Sequence, residues 1–199
     1  MSFDLSRHLS DARIAAGAAI IEASTGTKYT YSDLMAMSRS AALAIQEGSP
    51  GQTIGILSEN STRAVAALLG IILSGNVAVP LDTGLNKAAL DRIIKHSRIK
   101  SMFYSERFAN TAKRLEKRPA KLRLSDVNIT PPSGGNPWYV QPVAKRPAAI
   151  FYTSGTSGTP LGALLSYGNI TENALSVISR VGIKNTDTGH LVLPLHYIF

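Results

Sequence analysis

Residues 153–159 read Thr-Ser-Gly-Thr-Ser-Gly-Thr, with five side-chain hydroxyls around two glycines. Glycines at 155 and 158 let backbone N–H groups approach a ligand closely and permit positive φ. The hydroxyls of Thr153, Ser154, Thr156, Ser157 and Thr159 add donors to the same stretch. A loop so rich in free donors attracts an anion, and phosphate is the common one. The same composition also makes a ligand-free surface turn, so the loop taken alone leaves both readings open. It is not a Walker A loop, because no Lys follows the second glycine, and it is not a G-x-G-x-x-G turn. The chain has no cysteine, which removes thiolate nucleophiles, disulfides and Cys-based zinc sites.

A scaffold of alternating strands and helices must position this loop. Leu5 to Ala16 reads as a helix capped by Asp4, followed by a hairpin of Ala18–Ala23 and Lys28–Tyr31. Ser32 caps a helix running to about Glu47, with Leu34, Met37, Ala41 and Ile45 on one stripe. Thr53–Leu57 is a buried-type strand, Thr62–Ser74 an apolar helix closed by Gly75-Asn76, and Val77–Pro80 a strand. Asn86–His96 is a helix, Ser101–Tyr104 a strand, Arg107–Lys117 a basic helix, and Lys121–Leu124 a strand. Strand Ala148–Tyr152 then leads into the loop. Asn169 with Glu172 forms a capping box for the next helix, whose apolar face is Ile170, Ala174, Val177, Ile178 and Val181. This alternation predicts an α/β fold: a largely parallel sheet flanked by helices.

Three regions follow: an α/β region at 1–129, a Pro/Gly-rich linker at 130–147, and the strand, loop and helix of 148–199. With 44% hydrophobic and 17% charged residues, the chain is globular in composition. A mixed, polar N-terminus argues against a signal peptide, and the apolar run Ala64–Leu73 is too short to span a membrane. The expected location is cytoplasmic. The net charge of +8 is concentrated at Lys87, Arg92, Lys95, Arg98, Lys100, Arg107, Lys113, Arg114, Lys117, Arg118, Lys121 and Arg123, opposed only by Asp91, Glu106 and Glu116. These form either a surface for an anionic partner or a pair of solvated helix faces. No aromatic interleaving or nucleic-acid motif accompanies them, so no nucleic-acid partner is expected.

Tyr152 to Pro160, with Gly162, Ser166 and Asn169, resembles the phosphate-binding signature of the adenylate-forming superfamily, Y-T-S-G-T-T-G-x-P-K-G-V followed by Ser-His-x-Asn. Lys28–Leu34 resembles the family's early "lTYaeL" element, and Thr53–Asp82 its strand–helix–strand ending in P-L-D. Leu193–Phe199 (LPLHYIF) is similar to the motif lining the acyl or aryl pocket. The resemblance implies the N-terminal, incomplete part (1–199) of an AMP-binding domain of acid–CoA ligase type, with a fatty acid the expected substrate and a small or aryl acid the open alternative. Such an enzyme joins a carboxylic acid to AMP, releases pyrophosphate, and passes the acyl group to a thiol. ATP, Mg²⁺ and coenzyme A are the implied cofactors. By the same resemblance, Thr153, Ser154, Gly155, Thr156, Ser157, Gly158 and Thr159 bind the nucleotide phosphates, Thr153 stands near Mg²⁺, and His196 and Tyr197 border the acyl substrate.

Three positions depart from the family: Leu161 replaces Lys or Arg, Tyr167 replaces a frequent His, and Tyr197 replaces the second His of the LPLHH-type motif. Each removes a cation, or a potential one, from an anion site. The family's Mg²⁺-binding acid, ribose-gripping Asp and C-terminal catalytic Lys have no counterpart within these 199 residues, so the chain alone is expected to be inactive. The alternative is a naturally truncated, non-catalytic paralogue that binds an acidic carrier protein or subunit. An exposed sheet edge would favour self-association.

Overall fold

A computed structural model describes residues 4, 7, 11–45, 50–116, 119–130, 139–141, 143–153 and 161–197. Residues 1–3, 5–6, 8–10, 46–49 and 117–118, the linker residues 131–138 and 142, the loop residues 154–160, and residues 198–199 lie outside the described residues.

Of the helix expected at Leu5–Ala16, residues 5, 6 and 8–10 lie outside the described residues. Asp4 caps as expected, its Oδ1 accepting from the Arg7 amide at 3.0 Å. Asp11, however, is not helical, and its carbonyl accepts from Ile14 and Ala15 to open a separate short helix, α1 (Ala12–Ala15). Strands β1 (Ala18–Ile21) and β2 (Lys28–Thr30) form the antiparallel hairpin. Glu22 beyond β1 accepts from the Thr62 amide and hydroxyl at 3.1 and 2.8 Å, placing a carboxylate at a helix N-terminus where the dipole favours it. Helix α2 (Tyr31–Ala44) is capped by Thr30 rather than Ser32, because Asp33 at N3 closes a capping box back onto the Thr30 amide.

The sheet that follows has the order β6-β5-β3-β4-β7-β8. Strands β3 (Thr53–Leu57), β4 (Val77–Pro80), β5 (Ser101–Tyr104), β6 (Ala120–Arg123) and β7 (Pro147–Thr153) run parallel, and β8 (Leu161–Ser166) lies antiparallel to β7. Connecting them are α3 (Thr62–Leu73), α4 (Lys87–Ser97) and α5 (Ala109–Arg114), and α6 (Tyr167–Val181) follows β8. The pleat sorts side chains by parity. Ile54, Ile56, Ala78 and Phe103 join α2 and α3 in one core cluster. Leu57, Val79, Met102 and Tyr104 join α4 and α5 in the other. Helices therefore cover both faces, as a parallel sheet requires.

Helices α2 and α3 meet at Gly70, where an added Cβ would stand 2.3 Å from the Ser38 carbonyl oxygen. The basic helix predicted at 107–117 is instead a 3-10 turn (Glu106–Phe108) followed by α5. It stops because Leu115 turns into the second cluster and the Glu116 amide donates to Asp91 Oδ1 at 2.8 Å, outside any helical pattern. Strand β6 starts and ends one residue before the predicted Lys121–Leu124.

Two further expectations are corrected beyond Thr153. The loop joins two strands, not a strand and a helix, because 161–166 pairs along β7 from Thr153↔Leu161 to Pro147↔Ser166. Helix α6 is opened by a Ser166–Asn169 capping box, not Asn169–Glu172. Only Tyr167, Gly168 and Thr171 of α6 are buried. Of its expected core face, Ile170 packs against the first core cluster, whereas Val177, Ile178 and Val181 are open to solvent at 45, 44 and 70% exposure. No helix among the described residues is long and apolar enough to cross a membrane.

Candidate functional site

All five parallel strands deliver their C-terminal ends to one side of the sheet. Strand β3 is followed by α3 on one face and β4 by α4 on the other, so the chain departs in opposite directions between two adjacent strands. In open α/β sheets such a switch point makes a crevice where ligands bind. The groups around it come from the turns after each strand: Glu59 and Asn60 after β3, Asp82 after β4, Ser105 after β5, and Thr153 at the end of β7. Ala78 of β4 is registered with Ala149 of β7, so Asp82 and Thr153, each four residues further on, leave the sheet at the same end.

The C-terminal segment comes back to this mouth. Asn60 donates from Nδ2 to the Leu193 carbonyl at 2.8 Å and accepts at Oδ1 from the Leu195 amide at 3.1 Å. Leu195 packs against the first core cluster. His196 Nε2 then stands 3.4 Å from Asp82 Oδ1, its side chain 12% exposed. Tyr197 lies beside it with ring centroids 5.3 Å apart and is 57% exposed. Ser105 donates to Glu59 Oε2 at 2.6 Å, tying the β3 and β5 turns together.

The loop's first stem is held from the opposite face. Tyr152, one residue before Thr153, places its hydroxyl 2.8 Å from His96 Nδ1 at the end of α4, with the two rings edge-on. Burial pushes the Tyr152 hydroxyl pKa up, against a smaller opposing effect of its hydrogen bond with Ser97. Gly162 makes room for this ring, since a Cβ there would lie 3.1 Å from the Tyr152 ring and 2.8 Å from Ile150.

Of the residues predicted to bind phosphate, Thr153 is placed at the end of β7; Ser154, Gly155, Thr156, Ser157, Gly158 and Thr159 lie outside the described residues. His196 and Tyr197 are at the same end of the sheet as Thr153. Leu161 is 62% exposed at the start of β8, so it does not pack the turn. Tyr167 is no part of an anion site: it is 1% exposed within the first core cluster, where its size and apolar ring serve packing. Among the described residues no three His, Asp or Glu converge as a metal site. The Thr153 hydroxyl alone does not hold Mg²⁺, which needs an octahedral oxygen set drawn largely from phosphates and water.

Sequence reasoning missed Asn60, His96 and the role of Asp82. The signal was available for two of them: polar residues immediately after buried parallel strands face the ligand crevice. His96 carries no such signal, because its partner is 56 residues away and fixed by packing.

The basic region is partly neutralised. Lys87 bonds Asp91 and Glu116 at 2.9 and 3.0 Å, which raises its pKa. Arg123 is likewise raised, first by a hydrogen bond with Tyr104.

Comparisons with known proteins agree with this architecture. The family model described as "AMP-binding enzyme" matches residues 10–199. The PKS-NRPS hybrid synthetase psoA of Aspergillus fumigatus is 30% identical over 163 residues, covering 81% of this chain and 4% of that protein. A plipastatin synthase of Bacillus subtilis is 26% identical over 159 residues, covering 79% of this chain and 6% of that protein. Among solved structures, ATP-bound MatB from Rhodopseudomonas palustris superposes with a TM-score of 0.85 at 24% identity, over 99% of this chain and 41% of that one. The inhibitor-bound N-terminal domain of FACL13 from Mycobacterium tuberculosis gives 0.82 at 22% identity, over 96% and 50%. The chain thus spans a small part of these curated relatives and at most half of these solved chains. With the family model matched over nearly its whole length, the chain belongs to the AMP-binding, adenylate-forming enzymes.

Proposed function

We propose that this chain forms the phosphate-loop portion of an enzyme that activates a carboxylic acid as its acyl-adenylate. The carboxylate oxygen attacks the α-phosphorus of ATP, the bond to the β-phosphate oxygen breaks, and pyrophosphate leaves. Holding the β- and γ-phosphates on amides and hydroxyls stabilises the charge that develops on the leaving group. Residues 153–159 supply those donors, and His196 and Tyr197 border the acid. The observation that carries this reading is Thr153, which delivers the hydroxyl-rich loop at the same end of the sheet as His196.

The acid–CoA ligase type, with transfer to coenzyme A, draws support from the o-succinylbenzoate CoA synthetase MenE of Bacillus subtilis among the structural neighbours, and a fatty acid substrate rests on the motif resemblance alone. A peptide-synthetase-type adenylation domain is the second reading, favoured by the synthetase relatives. There an acidic carrier protein would receive the acyl group. Mg²⁺ would arrive with the triphosphate. Self-association would use β8, one of the two edge strands of the sheet, where Leu161 and Leu164 are exposed.

Calorimetric titration of ATP, octanoate, benzoate and a set of amino acids tests the reading. Binding of ATP without pyrophosphate–ATP exchange is expected from these 199 residues. Absence of any ATP binding would overturn the phosphate-loop assignment. Preference among the acids separates the two enzyme classes.

A further inference from the structure

The carboxamide of Asn60 joins parts of the chain more than 130 residues apart. Its Nδ2 donates to Leu193 O at 2.8 Å and to Leu191 O at 3.4 Å, and its Oδ1 accepts from Leu195 N at 3.1 Å. A carboxamide presents a donor and an acceptor side by side, so it can read a carbonyl and an amide of one extended segment together. Exchange of its oxygen and nitrogen would set N–H against N–H, so these partners fix its orientation. The neighbouring Ser61 already caps α3, its side chain accepting from Ala64 N at 3.2 Å. Asn60 is therefore free of the capping role that its place before a helix suggests.

Asn60 follows β3, and Asp82 follows β4, the adjacent strand of the switch point. Residues 193–196 are held by both: the backbone by Asn60, the His196 ring beside Asp82 at 3.4 Å. Leu195 between them is seated on the core. We propose that Asn60 is a positioning residue that fixes His196 at the mouth of the β3–β4 crevice. It makes segment 191–197 the wall against which the substrate acid is held. The value of that position for an acid rests on the adenylation reading; the positioning itself does not.

The test uses this chain with hydrogen exchange and imidazole NMR. In Asn60→Ala the Leu195 amide should exchange at least tenfold faster and the His196 ring signals should shift, while β3 amides such as Ile56 keep their protection. Asn60→Asp keeps the acceptor and loses the donors, so Leu195 protection should be largely restored. An unchanged Leu195 rate and His196 spectrum in Asn60→Ala would overturn the proposal. So would equal exchange in the Ala and Asp variants, which also decides the matter if Ala loosens β3. A second arm titrates octanoate and ATP: Asn60→Ala should weaken octanoate at least fivefold and leave ATP within twofold. Equal losses for both ligands count against the proposal. A wild-type chain that binds neither ligand sinks the adenylation reading, and the exchange data then judge Asn60 alone.

Discussion

Helices α3 and α6 open alike and end up in opposite surroundings. Ser61 and Ser166 each cap with a side-chain oxygen, accepting from Ala64 and Asn169 respectively. Both helices carry apolar residues at helical spacing. Yet α3 buries Thr62, Ala64, Ala66, Ala67 and the run Gly70–Leu73, whereas α6 buries only Tyr167, Gly168 and Thr171 near its start. The difference lies in what stands opposite. Helix α2 closes on α3 at Gly70, while no element among the described residues covers Leu175, Ile178 or Val181. Local signals decide that a helix forms, and neighbours decide what its burial is worth.

The largest effect should come at the α2–α3 contact. Gly70→Val pushes side-chain atoms into the Ser38 carbonyl and Ala41, and should cost more than about 4 kcal/mol, or prevent folding. Urea denaturation showing a loss under about 1 kcal/mol would mean the two helices part easily. Next, Ile71→Ala at a fully buried site should cost about 3 kcal/mol. Ile178→Ala on α6, at 44% exposure, should stay within about 0.5 kcal/mol. Similar losses at both sites would show that α6 is covered in solution.

A third test concerns ligand binding at the loop stem. Leu161 is exposed, so Leu161→Lys should leave the melting curve unchanged and add a cation at the loop stem. A hydrogen bond to a charged group contributes about 1.5–3 kcal/mol, or roughly ten- to hundredfold in ATP affinity. The gain should shrink as salt rises. A folded variant with no gain would indicate that the loop has lost its phosphate role. The caps should give a modest effect: Ser61→Ala and Ser166→Ala should each cost about 1 kcal/mol despite the unlike burial of their helices. A much larger loss at Ser61 would show that tertiary packing amplifies a cap.

The parallel core was legible because its strands are short apolar runs set between clear stops. Thr53–Leu57, Val77–Pro80 and Ser101–Tyr104 fall where periodicity and turn residues place them. The hairpin after Thr153 was not, because LGALLS has neither strict alternation nor β-branched residues, and its strand state comes from pairing with β7. Tyr167 misled for a related reason: a polar position in a family motif is here a core residue, and only packing reveals it. In the candidate site, Thr153 and His196 could be named from their motifs. Asn60 could not be paired with Leu193 and Leu195, since hydrogen bonds across 133 and 135 positions leave no mark in local sequence.

The Tyr152 ring over Gly162 has a consequence for engineering. The residues flanking 154–160 are paired as Thr153↔Leu161, and on the next rung the Tyr152 ring lies over its partner Gly162, so the backbone ladder fixes the spacing of the two stems. The stems therefore behave as a fixed socket, whatever chain is strung between them. Lengthening the insert should cost only closure entropy, about 0.6 kcal/mol for each doubling. Libraries that vary loop length and composition at this socket can then search for new anion specificities without rebuilding the sheet beneath.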